Sequence, residues 1–139
     1  AVVKLEKALG EIAGKTVAVL GLSFKPNTDD IREAPALDIA RMLLEKGAVV
    51  QAFDPQAMEL AKQQVPELVC CSGPYAAAEN ADALLLATEW NEFKSLDFKQ
   101  IREKMRGRVV LDGRNIWDPK GLRSLGFTYL GVGQAEVED

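Results

Sequence analysis

The sequence contains no histidine, and its only two cysteines, Cys70 and Cys71, are neighbours. Adjacent cysteines are badly placed to bridge each other, and without histidine or a further thiol there is no metal set and no disulfide scaffold. The same shortage removes the usual nucleophile, acid and base constellations. Asp, Glu and Lys remain for proton transfer, but a complete enzyme is not expected from these residues alone, and no catalytic residue is assigned. Long apolar runs are missing as well. Ala83 to Ala87 is strand-sized, far short of the roughly 20 residues that cross a bilayer, and no leader-like segment opens the sequence. A cytoplasmic protein without membrane contact is expected. Positive charge is scarce: the formal net charge is −4 and no Lys or Arg stands beside another, which leaves no electrostatic footprint for nucleic acid.

What is present suits one domain: 139 residues, 47% of them hydrophobic and 27% charged, enough to bury an ordinary core. Lys15 to Gly21 is a β-branched, apolar run ending at glycine and reads as a buried first strand. A polar loop, Leu22 to Ala34, leads to a helix that Pro35 opens and Gly47 stops, with Ala36, Ile39, Ala40 and Leu43 on one face. Ala48 to Phe53 is a second strand closed by Asp54-Pro55. A helix over Gln56 to Gln64, a short edge strand within Glu67 to Cys71, and a short helix at Tyr75 to Glu79 follow. Ala83 to Ala87 is apolar on both faces, as a strand covered by helices on two sides must be. Beyond it come a helix near Phe98 to Met105, a strand at Arg108 to Leu111, a short helix ending at Leu125 and a strand at Phe127 to Leu130. This alternation predicts an α/β fold on a doubly wound, mostly parallel sheet of five or six strands, in the order 3-2-1-4-5-6. Residues 1–13, with Val2, Leu5, Leu9 and Ile12 at helical spacing, read as the end of a connecting helix, residues 14–133 as the domain, and residues 134–139 as a mobile acidic tail.

Ligands of such sheets bind outside the carboxyl ends of the strands, where strand order reverses. The distinctive segments of this sequence fall there: Ser23 to Glu33 after the first strand, Thr88-Glu-Trp90 after the fourth and Asp112-Gly-Arg-Asn115 after the fifth. Only Gly21 stands where a dinucleotide fingerprint needs three glycines, so the usual Rossmann mode is not expected. Lys25, Arg32 and Arg114 could neutralise a diphosphate at one cleft; alternatively they pair with Asp29, Asp30, Glu33 and Asp112 nearby. Phe24 and Trp90 could stack on a base or sugar, or simply pack. Asp54 stands where Rossmann domains hold a ribose hydroxyl, but forming the turn with Pro55 is the preferred role. Cys70 and Cys71, away from this edge, are expected to be buried or half-buried and structural.

The series Gly21 to Pro35, with Phe53-Asp-Pro55, Ala81-Asp-Ala83, Thr88-Glu-Trp90 and Asp112-Gly-Arg-Asn115, closely resembles the C-terminal domain of UDP-glucose 6-dehydrogenases. The resemblance covers about Gly14 to Gly133, and its separated motifs come in the family's order. It implies an enzyme oxidising the C6 alcohol of a nucleotide sugar to a carboxylate in two NAD-dependent steps, with NAD held mainly by an N-terminal domain absent here. It also implies a homo-oligomeric full-length protein. By resemblance Phe24, Lys25 and Arg114 contact the UDP-sugar and Arg32 approaches NAD. The family's catalytic cysteine sits in a Gly-Gly-Ser-Cys-type motif that neither Cys70 nor Cys71 matches, so turnover by this chain alone is not expected. GDP-mannose and UDP-N-acetylmannosamine dehydrogenases, and a non-catalytic nucleotide-binding module, are the alternatives.

Overall fold

Strand and helix alternate along the chain because short apolar runs, closed at β1 by glycine and at β2 by Asp-Pro, are separated by segments with one apolar helical face. The computed structural model describes residues 2–32 and 34–131. Glu33 and the 134–139 tail, named above as an ion-pair candidate and a mobile segment, lie outside the described residues.

Six parallel strands form one sheet in the order β3-β2-β1-β4-β5-β6, the order the alternation predicts. They are β1 Thr16–Leu20, β2 Val49–Phe53, β3 Val69–Cys70, β4 Ala83–Leu86, β5 Val109–Asp112 and β6 Thr128–Gly131. The helices are α1 Val2–Leu9, α2 Pro35–Glu45, α3 Met58–Gln64, α4 Pro74–Ala78, α5 Phe98–Lys104 and α6 Pro119–Ser124, with a 3₁₀ helix at Asn91–Ser95. Among the described residues no helix is long and apolar enough to cross a membrane.

The central strands have two apolar faces. In β4, Ala83 and Leu85 enter the core shared with α1, α2 and α3, while Leu84 and Leu86 enter the core of α4, α5 and α6. All four are buried, as the period-2 alternation of a strand covered on both sides requires. β1 divides the same way, Val17 and Val19 to one side, Ala18 and Leu20 to the other. Each buried Leu contributes roughly 1.5–3 kcal/mol through area removed from water. α1 takes part in this packing: Val2 and Leu5 are buried in the first core together with Ile12, and the Lys4 ammonium donates to the Gly131 carbonyl at the end of β6. Gly10 ends the helix in the left-handed conformation, at φ 85°.

β3 is only two residues long and both are exposed. Cys70 is therefore exposed, a correction to the expectation that both cysteines are buried or half-buried, whereas Cys71 is half-buried as expected. An edge strand has one open flank, and this one is too short for neighbouring helices to cover.

Candidate functional site

β1 and β4 are neighbours whose crossovers leave in opposite directions, so the sheet parts above their carboxyl ends. A cleft of about 240 Å³ opens there, lined by Pro35 and Ile39 of α2, Leu86 and Ala87 at the end of β4, and Gly113 and Arg114 after β5. The tightness of the turns brings the strands' loops this close. Gly21, at φ 94°, lies against Thr88, and Gly113 lies against the Leu86 carbonyl, 2.4 Å from where a Cβ would stand. Glycine is required at both positions.

Three loops are tied together at this edge. The Thr88 hydroxyl, fully buried, donates to the Ser23 carbonyl at 2.7 Å, joining the β4 loop to the β1 loop. Gly113 N–H donates to the Leu86 carbonyl at 3.0 Å, joining the β5 loop to β4. Arg114 Nε donates to the Ala87 carbonyl at 2.9 Å and stands 3.5 Å from the Glu89 carboxylate. The Arg114 side chain is one-third exposed.

The three cations singled out from the sequence do not form one cluster. Arg114 lines the switch-point cleft. Arg32 lines a separate pocket of about 310 Å³ with Ala34, Leu37, Asp38 and Arg41. Its side chain is 87% exposed and forks onto Asp30, Nε to Oδ1 at 3.1 Å and Nη2 to Oδ2 at 3.0 Å. The side-chain bond from Arg32, then its backbone N–H and charge, hold the Asp30 carboxyl down at about 2, with Lys25 adding to the effect. Lys25 is exposed on the same loop. Asp30 also closes that loop, its carbonyl accepting from Phe24 N–H at 2.7 Å. Of the ion pairs weighed from sequence, Arg32 with Asp30 is present, whereas Arg114 pairs with Glu89 and meets Asp112 only through its backbone N–H.

The aromatics separate clearly. Phe24 is 46% exposed and packs in neither core. Trp90 is buried and its indole N–H donates to Asp54, so it packs and cannot stack on a base.

Two carboxylates, Asp54, expected to form a turn, and Asp112, expected as a pairing partner for the cations, organise the edge. Asp54 does form the turn with Pro55, but it is also buried and accepts from the N–H groups of Leu22, Ser23, Gln56 and Ala57 and from the Trp90 indole. Asp112 is fully buried and accepts from Arg114 N–H at 3.1 Å, Trp117 N–H at 2.8 Å and the Tyr129 hydroxyl at 2.9 Å. Burial first, and then this bond to Asp112, push the Tyr129 phenol above its ordinary value. The available signal was an Asp at the end of each strand before Pro or Gly, the residue type that bonds backbone N–H groups just ahead of it.

NAD, the cofactor the resemblance implies, does not fit the β1 turn. A dinucleotide held there needs backbone amides facing its pyrophosphate. Here Gly21 N–H is given to Phe53, those of Leu22 and Ser23 to Asp54, and that of Phe24 to Asp30.

Comparison with known proteins agrees with this geometry. The model of the "UDP-glucose/GDP-mannose dehydrogenase family, UDP binding domain" matches residues 18–119. The UDP-glucose 6-dehydrogenase of Pseudomonas aeruginosa is 45% identical over 141 residues, covering 94% of this chain and 31% of that protein. That of Rhizobium meliloti is 43% identical over 127 residues, covering 91% and 29%. The solved UDP-glucose dehydrogenase of Pyrobaculum islandicum superposes with a TM-score of 0.81 at 40% identity, covering 96% of this chain and 29% of that one. The chain thus spans about three tenths of the length of the curated relatives it matches. It belongs to the UDP-glucose/GDP-mannose dehydrogenase family, whose UDP-binding domain accounts for most of its residues.

Proposed function

We propose that this chain binds the UDP moiety of a nucleotide sugar for an NAD-dependent UDP-glucose 6-dehydrogenase. The observation that carries the reading is the placement of Arg114. It lines the switch-point cleft with Nε already held by a carbonyl, and so offers a pre-oriented fork to a phosphate. Lys25 supplies a second, mobile charge and Phe24 an exposed ring for the nucleotide. UDP-glucose is favoured over other nucleotide sugars by the relatives at 43% and 45% identity.

In this reading the domain works by position. Gripping the diphosphate fixes the reacting sugar carbon and lowers the barrier through orientation, with no bond made by these residues. NAD would supply hydride acceptance. Because the β1 turn has no amide free for its pyrophosphate, NAD is assigned to a separate domain of the full dehydrogenase, a homo-oligomer, with Arg32 reaching it from the rim. Cys71 is a poor nucleophile, since burial raises its thiol above the ordinary value. Turnover therefore needs groups this chain does not supply.

Calorimetric titration of the 139-residue chain tests the assignment. UDP-glucose is expected to bind, and Arg114→Ala to weaken it by about tenfold to a hundredfold, the usual effect of losing a charge-assisted bond. Equal affinity in the variant would remove Arg114 from the site.

A further inference from the structure

Asp54 is a buried carboxylate that the proposed function leaves without a part. Its Oδ2 accepts from Leu22 N–H at 2.7 Å, Ser23 N–H at 3.1 Å and Trp90 Nε1–H at 3.2 Å; its Oδ1 accepts from Gln56 N–H at 2.8 Å and Ala57 N–H at 2.7 Å. Five donors converge on one anion, which uses all the acceptor capacity of a carboxylate. In a dinucleotide-binding sheet the amides at the β1 turn face a phosphate instead.

We propose that Asp54 is a positioning residue whose carboxylate fills the fold's anion hole from within, fixing the β1 and β4 loops for ligand binding. Through Leu22 and Ser23 it sets the root of the loop that presents Phe24 and Lys25. Through Trp90 it sets the segment carrying Glu89, the partner of Arg114. Two consequences follow for recognition. The amides of Gly21 to Phe24 are already given and are not offered to a diphosphate. The roots of the β1 and β4 loops meet on one carboxylate, beside the Thr88–Ser23 bond that joins them, while the Arg114 loop is held separately by Asp112.

Asp54→Ala with chemical rescue tests this, since the variant leaves five donors facing the space that the carboxylate filled, and formate brings back two oxygens of the same kind. The binding part rests on the UDP reading; the spectral part does not. In ¹⁵N spectra of the whole chain, the Leu22, Ser23 and Ala57 amides and the Trp90 indole N–H are expected to move in Asp54→Ala. They should return when formate, but not chloride, is added. UDP affinity should fall about tenfold or more and recover with formate. A merely structural aspartate would lower stability without an anion-specific recovery of loop resonances and affinity together.

UDP bound equally by wild type and Asp54→Ala, or no spectral recovery with formate, would overturn the proposal. If the wild type binds no UDP, the functional reading fails, and spectral recovery alone decides for or against Asp54. If Asp54→Ala does not fold, Trp90→Phe removes a single donor. Shifted Leu22 and Ser23 amides with UDP binding weakened about threefold to tenfold support the clamp, and unchanged ones overturn it.

Discussion

At Gly21 a Cβ would stand 2.5 Å from the Thr88 Cβ and 2.6 Å from the Thr88 backbone nitrogen, and φ is 94°. The neighbour is backbone, which cannot swing aside, so Gly21→Ala combines a left-handed conformation with overpacking. It should destabilise the fold by about 2–4 kcal/mol, measured as the shift in urea unfolding free energy. A change within about 0.5 kcal/mol would mean that β1 and β4 separate more easily than their loops suggest. The glycine was legible as a strand end, but its contact with Thr88, 67 residues onward, was not. The same limit applies to charge. Lys25, Arg32 and Arg114 could be placed near one sheet edge from their strands, and Asp30 was a nameable local partner for Arg32, yet only tertiary geometry puts Arg114 on Glu89. For Asp54 the turn with Pro55 was legible, but the wider set of donors it gathers was not. Four of its five donors are backbone N–H groups, which carry no sequence signature, and the fifth lies 36 residues away.

Among the elements, the strands with two buried faces were the most legible, because Ala83–Leu86 and, after Thr16, the rest of β1 are apolar without interruption. β3 was harder to bound: it pairs for two residues with Gln51 and Ala52 and buries nothing. At the sheet edge opposite the cleft, Asp82 accepts Thr16 N–H at 2.8 Å and a fork from Arg106, at 2.9 Å and 2.7 Å, linking the approaches to β1, β4 and β5. The Arg106 side-chain bonds, chiefly, hold the Asp82 carboxyl below its ordinary value. A depressed carboxyl adds stability that is complete above its unfolded value, about 3.9, and is lost as pH falls through the folded one. Asp82→Asn is therefore expected to cost about 1–2 kcal/mol near neutral pH, an amount limited by the exposure of Arg106, and less at pH 3. Urea unfolding at both values checks it. A cost that is independent of pH would assign Asp82 a purely neutral hydrogen-bonding role.

For the whole molecule, the strand order follows from right-handed crossovers acting on a readable alternation, and that order places the cleft. The fold was therefore legible down to its switch point. What sits at the switch point was only half legible: the residue types were visible, whereas the division into Arg114 at the cleft and Arg32 at a second pocket was not. The protein carries a net charge of −4, so anion binding must rest on local groups rather than on its overall field, and the binding should weaken with salt.

UDP is proposed to bind at the edge above β1 and β4. An NMR titration of ¹⁵N-labelled chain with UDP, GDP and NAD in turn tests it directly. Saturable shifts are expected with UDP at Lys25, Gly113 and Arg114, weaker shifts with GDP, and none at the β1 turn amides with NAD. Shifts of equal size with GDP, or no response to UDP at those residues, would contradict it.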